Sequence, residues 1–194
     1  MCQPNSFYQW LLQVLVLIGL LSFFLWLGLR PKHPTYTIAN FNIPLNDRNT
    51  TSPTDEVSRN TTTSFDLEIS NPNKDAGIYY DNIIVTLFFG DASVGETTIP
   101  SFYQGKHKTH TIPESLNADG RIWNAALRAI LNGTTEVKVG VVTRIRYRMS
   151  SWKSKRHRMD MQGNVPVGSD GKISGKKKKI KLHHSSKKWR SRLT

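Results

Sequence analysis

The chain has 194 residues, a net charge of +13 from 27 Lys/Arg against 14 Asp/Glu, and a single cysteine. That length suits one domain with appendages, and the lone Cys2 excludes an intramolecular disulfide and any Cys-based zinc site. The basicity is uneven: residues 1–143 hold ten Lys/Arg and twelve Asp/Glu, residues 144–194 seventeen and two, so a polyanionic neighbour fits the C-terminal quarter only.

After a short uncharged tail over residues 1–9, the stretch from Trp10 to Leu29 carries no charge. About 20 apolar residues at ~1.5 Å rise cross a hydrocarbon core of about 30 Å, so residues 10–30 are expected to form a transmembrane helix. Trp10, Trp26 and Tyr8 stand near its ends, where amphipathic rings favour the headgroups, and the Arg30-Pro31-Lys32-His33-Pro34 run stops the helix. A cleaved signal peptide fits less well. The run is too long, no Lys or Arg precedes it, and Leu27-Gly28-Leu29 is a poor cleavage site. Cys2, beside the span, is open to S-acylation or to remaining a free thiol.

Residues 31–61 read as a linker with a first strand over Tyr36–Phe41, followed by a loop rich in Asn, Thr, Ser, Pro and Asp. Residues 62–168 read as a β-domain. Thr62–Ser70 alternates Phe65, Leu67 and Ile69 against Ser64, Asp66, Glu68 and Ser70, the pattern of a half-buried strand. A turn at Asn71-Pro72-Asn73 leads to one strand over Ile78–Phe89, another over Ser93–Ile99, a linker at Phe102-Tyr103-Gln104-Gly105 and a strand over Lys106–Ile112. His107 and His110 are three apart in that strand and so point to opposite faces, which argues against a metal site. One amphipathic helix follows, capped by Asn117 or Asp119. Ile122, Trp123, Ala126, Leu127, Ile130 and Leu131 recur at helical spacing, and Asn132-Gly133 ends it. Its apolar stripe is expected to pack as a lid on the sheet.

Glu136–Arg148 is the longest expected strand. Val137, Val139, Val141, Thr143, Ile145 and Tyr147 share one face; Lys138, Arg144, Arg146 and Arg148 stand on the other. Lys153, Lys155, Arg156 and Arg158 continue the basic band around the next turn, before a last strand over Met159–Val167. The band fits an anion-binding surface, and equally a solvated edge on which charge discourages aggregation. Residues 169–194, with their lysine run at 176–179, are expected to be a basic disordered tail. With a span upstream, nucleic acid is not an expected partner. Short strands with turn signals and one helix indicate a mainly β fold, a β-sandwich.

The chain contains no Gly-rich phosphate loop, His-Glu-x-x-His, Cys-x-x-Cys or Gly-x-Ser-x-Gly, so neither an enzyme nor a cofactor is expected. Glycosylation sequons begin at Asn49, Asn60 and Asn132.

Asn71-Pro72-Asn73 with Ile78-Tyr79-Tyr80, then Ile99 to Gly105 with Phe102 and Gln104, the Trp152-Lys153 pair and Val165-Pro166-Val167-Gly168 form an ordered set. The set resembles the plant non-race-specific disease resistance and harpin-induced-like membrane proteins, which carry a group 2 late-embryogenesis-abundant domain. The resemblance runs over about Leu11 to Val167. It implies a fibronectin III/immunoglobulin-like sandwich behind one transmembrane helix. It also implies a non-catalytic role in defence and stress response at the plasma membrane or plasmodesmata. Many members have a longer, basic N-terminus and a cysteine where this chain has Gly163.

Arg30 and Lys32 follow the span and nothing basic precedes it, so the positive-inside rule favours a cytosolic domain. The resemblance implies an extracellular one, which is the expectation adopted. Expected partners are membrane lipids, an unidentified protein and a cell-wall polyanion. The alternative function is a lipid-binding or lipid-transfer module with an apolar cavity under the helix.

Overall fold

A computed structural model describes residues 4–28, 31–45, 61–118, 120–150, 152–176 and 178–185. The chain divides into two units, Met1–Lys32 and His33–Thr194.

The first unit holds helix α1, Pro4–Gly28, whose side chains over Ser6–Phe24 are mostly apolar and unburied, with a mean hydropathy of 1.9. The helix therefore starts well before Trp10, and most of the expected N-terminal tail belongs to it. Nothing between Asn5 and Gln9 breaks a helix, and proline suits the first helical position, where its missing N–H costs nothing. Leu29 lies outside the described residues.

The second unit is a two-sheet sandwich. Its strands are β1 (Thr35–Asn42), β2 (Thr61–Ser70), β3 (Gly77–Tyr80), β4 (Ile83–Phe89), β5 (Ala92–Ile99), β6 (Phe102–Gln104), β7 (Thr109–Ala118), β8 (Thr135–Arg148), β9 (His157–Val167), β10 (Lys179–Lys181) and β11 (His183–His184). Helix α2, Gly120–Leu131, joins β7 to β8. One sheet runs β10-β1-β2-β7; the other runs β11-β9-β8-β3-β6, with β4 and β5 continuing from β8 beside β3. The antiparallel pairing lets each strand turn one face to the core and the other to water. Phe65, Leu67 and Ile69 of β2 meet Val137, Val139, Val141, Ile145 and Tyr147 of β8 in a single apolar core. Trp123, Ala126 and Ile130 of α2 are fully buried in the same cluster, so the helix packs as a lid through its apolar stripe.

The expected single strand over Ile78–Phe89 is broken in two. Tyr80 pairs with Ile145 but Ile84 with Val142, so four steps on one strand oppose three on β8. The extra residue at Asp81-Asn82 is a bulge, and burial switches parity across it, from Ile78 and Tyr80 to Ile83, Val85 and Leu87. The amide of Asp81 still donates to Arg144 O at 2.8 Å, and Thr143 Oγ1 donates to Asp81 O at 3.1 Å. The expected linker at Phe102 is strand β6, and the next strand begins at Thr109, because residues 105–108 form a turn with His107 at φ 49°.

The largest departure concerns the tail expected to be disordered from residue 169. Lys172 and Ile173 bridge to Asn42 and Val167. Strand β10 then pairs with β1, matching Ile180 to Ile38, and β11 pairs with β9, matching His183 to Gln162. Between them Leu182 is only 1% exposed, and its amide donates to Tyr36 O at 2.9 Å. The segment is a strap across the side where both sheets end. Low hydrophobicity denies a segment its own core, but this one borrows a core and two free strand edges already in place. Gly163 makes the room: a Cβ there would stand 2.6 Å from Leu182 Cδ2.

Candidate anion-binding face

Strand β8 presents its outward residues as alternation requires, with Arg144 and Arg148 exposed and Arg146 half-buried. Cross-strand pairing then sorts the band into two groups. In the first, Arg144 lies directly opposite Arg158 of β9, an arrangement that like charges disfavour. A carboxylate offsets it, since Arg158 Nε donates to Asp160 Oδ1 at 2.9 Å; beside them Arg156 Nε stands 3.5 Å from Asp81 Oδ2. Arg144 and Arg158 share an open groove of about 520 Å³ with Asp81, Asn82 and Ser101.

The second group is built on tyrosine. Arg146 is opposite Tyr79, which is opposite Tyr103. The two rings meet at 4.6 Å between centroids. Arg148 donates from Nη1 to Tyr79 Oη at 3.2 Å and lies 5.8 Å over the Tyr103 ring, while Lys153 Nζ sits 4.9 Å over Tyr79. Ring quadrupoles attract cations, so the platform fixes Arg148 and Lys153 without neutralising them. Arg148, Lys153 and Tyr79 line a second open groove, of about 460 Å³, with Met149, Ser150 and Trp152. Gly77 is small because a Cβ there would strike the Tyr103 ring, at 2.3 Å from its Oη. Lys155 is exposed on the turn between β8 and β9.

The motif residues Asn71, Asn73, Tyr80, Phe102 and Gln104 do a different job. Tyr80 Oη donates to Gln104 Oε1 at 2.8 Å, and Gln104 Nε2 donates to Ile69 O and Lys108 O, both at 2.8 Å. Asn71 Nδ2 donates to Ala76 O and Gly105 O, and its Oδ1 accepts from the Asn73 amide at 3.0 Å. These bonds tie the turn after β2 to the turn after β6 at one end of the sandwich. Phe102 stacks on Tyr80 at 4.7 Å, Ile78 is buried in the core, and Pro72 holds the turn between the two asparagines. These motif residues thus maintain the fold. Burial pushes Tyr36 and Tyr80 well above the ordinary tyrosine range and Tyr147 up to about 12, with neighbouring phenols adding to the first two.

His107 is exposed in its turn and His110 stacks on Phe102 at 5.5 Å; among the described residues no group of three or more His, Cys, Asp or Glu could hold a metal ion. Asn132 is exposed where α2 ends, its amide donating to Arg128 O at 3.1 Å. Asn49 and Asn60 lie outside the described residues. Sequence reasoning missed Tyr103, the second ring of the platform, because pairing of β3 with β6 across 24 positions leaves no local signal.

Residues 66–163 match the family model LEA_2, late embryogenesis abundant protein. Protein NDR1 of Arabidopsis thaliana is 36% identical over 180 residues, covering 86% of this chain and 77% of that protein. The chain belongs to the LEA_2 family. NDR1/HIN1-like protein 10 of Arabidopsis thaliana is 25% identical, covering 80% of this chain and 69% of that protein. The solution structure of another Arabidopsis thaliana protein aligns over 75% of this chain and 89% of its own at 9% identity and a TM-score of 0.42, too low a likeness to argue from. The LEA_2 match ends at Gly163, short of the strap, so the strap of this chain lies beyond the matched residues.

Proposed function

We propose that this LEA_2 protein is a non-enzymatic, single-pass membrane protein of plant defence and stress response. It acts at the plasma membrane, with plasmodesmata as a further location, as an adaptor or signalling component. Its domain is outside the cell and offers the basic face to an acidic partner. The observation that carries this reading is an outer face on which Arg144, Arg146, Arg148 and Lys153 are held in place by strand register and tyrosine rings. The apolar helix α1 and the likeness to Protein NDR1 support the membrane and defence parts. The buried polar side chains of the family motif are committed to structural bonds, which supports a binding role over a catalytic one.

Charge reversal at Arg144, Arg146 and Arg148 tests the reading. Salt-sensitive binding of acidic polymers to the full chain reconstituted in neutral vesicles should fall at least about tenfold, since basic residues near an anionic surface each contribute about 1 kcal/mol. Unchanged binding would return the band to plain solvated surface.

A further inference from the structure

The end of the sandwich at which the chain enters the domain differs from its other surfaces. The domain starts at His33, whose Nδ1 lies 3.1 Å from Tyr147 Oη and whose ring meets that of His184. Thr35, the first residue of β1, pairs with Ser70, and Ser70 with Thr109, so the turns at 71–76 and 105–108 are at this same end. In the other sheet Gly77 pairs with Arg148, which places the turn between β8 and β9 there too. Those three turns carry Lys74, Lys106, Lys108, Lys153 and Lys155, all exposed, against the single described carboxylate Asp75.

The third turn also carries Trp152. At 57% exposure it is the most exposed large apolar side chain of the described domain. Its position is fixed. The amides of Met149 and Trp152 donate to each other's carbonyl oxygens at 3.0 and 3.3 Å, Arg148 bridges to Lys153, and Ser154 N donates to Tyr147 O at 2.9 Å. An indole held at the tip of a closed turn among lysines has the two properties of an interfacial anchor: an apolar ring for the headgroup region and cations for phosphate. The covalent chain adds a limit. Five residue steps separate Gly28, the last residue of α1, from His33, a contour of roughly 17 Å at full extension.

We infer that this end of the domain is a lipid-docking face, in which Trp152 enters the headgroup layer and Lys74, Lys106, Lys108, Lys153 and Lys155 engage acidic phosphate-bearing headgroups of the leaflet on the domain's own side. The groove of about 460 Å³ between Trp152 and Tyr79 takes one headgroup phosphate beside Arg148 and Lys153. This inference rests on the reading of α1 as a membrane tether. Docking would hold the long axis of the sandwich against tumbling and leave Arg144 and Arg158, in the other groove, free for a partner.

The test uses the full chain reconstituted in vesicles of phosphatidylcholine alone or with a quarter or so of phosphatidylserine, read by backbone hydrogen exchange of residues 149–156. The anionic vesicles should slow exchange of that turn about fivefold or more, with the effect abolished in high salt and in a Trp152→Ser/Lys153→Glu/Lys155→Glu variant. Exchange in β2 and β8 should stay unchanged, which checks that the variant is folded. Equal exchange in the two vesicle types would overturn the docking face while leaving the tether intact, provided the protein still floats with vesicles after an alkaline wash. Failure to float would overturn the tether itself. Protection produced by a soluble polyuronate on neutral vesicles, and not by phosphatidylserine, would assign the face to acidic glycan and overturn the inference.

Discussion

Leu182→Ala tests whether the C-terminal strap is part of the fold. The side chain is 1% exposed, over Gly163 and between the two sheet edges. Truncation removes three carbons at about 0.8 kcal/mol each and opens a cavity; buried Leu→Ala changes cost ~2–5 kcal/mol. The strap can also peel away, since strands of three and two residues hold it, and the loss then levels off once the strap is free. About 2–3 kcal/mol is therefore expected, a fall of roughly 4–10 °C in the Tm of a domain of this size. Gly163→Ala should also destabilise the wild-type protein, because its Cβ meets Leu182 Cδ2 at 2.6 Å. In the Leu182→Ala background the same change should be neutral or favourable, since the clash is gone and alanine orders a strand better than glycine. Tryptic cleavage after Lys179 and Lys181 should accelerate in Leu182→Ala. A Tm within about 1 °C of wild type, with unchanged cleavage, would show that the strap contributes nothing and that the disordered tail read from composition was right.

The remaining expectations concern the core and its polar ties. Gln104→Leu strips the partner from Tyr80 Oη and one bond each from Ile69 O and Lys108 O, the last of which keeps the Asn71 amide; a buried group left unpaired costs ~1–3 kcal/mol, so a loss of at least about 1 kcal/mol should appear in chemical denaturation. Tyr36→Phe should be neutral or stabilising, because Tyr36 Oη is buried without a described hydrogen-bond partner; a large loss would reveal one. Trp123→Ala should cost ~3–5 kcal/mol and detach α2, read as lost helical circular dichroism at moderate denaturant. Alkali should unfold the domain: Tyr36, Tyr80 and Tyr147 hold their protons above the ordinary value near 10, so the native state binds more protons than the unfolded chain. Stability is then full below about pH 10 and falls as pH rises, by up to ~1.4 kcal/mol per pH unit for each phenol still protonated. Phenolate signals of Tyr36, Tyr80 and Tyr147 rising together with loss of strand signal would bear this out; phenolate at these three in the intact fold would refute it.

Much of the sandwich was legible because burial in a two-faced strand leaves a period-two trace. Phe65, Leu67 and Ile69 alternate with polar residues, Val137 to Tyr147 keep every second position on the core face, and both strands fall where that pattern puts them. The helix stripe was equally plain, since Trp123, Ala126 and Ile130 share one face. Where the signal failed, a non-local partner decided the outcome. The bulge at Asp81-Asn82 shows only as a parity switch inside an apolar run, which composition reads as one strand. The strap has three apolar residues, Ile173, Ile180 and Leu182, among its lysines and is ordered by the edges of β1 and β9, which no window of its own sequence contains. For the basic face, alternation on β8 gave the arginines; the rings that hold Arg148 and Lys153 came together only through pairing of β6, β3 and β8.

We propose that a helix spanning the membrane holds this sandwich outside the cell. Protease treatment of sealed microsomes containing the full chain with a C-terminal tag tests it most directly, after alkaline extraction to confirm integral insertion. The account predicts a tag that stays with the membrane through extraction and is protected until detergent is added. A tag digested in intact microsomes would place the domain in the cytosol, as Arg30 and Lys32 alone would have it, and release of the tag by alkali would remove the tether.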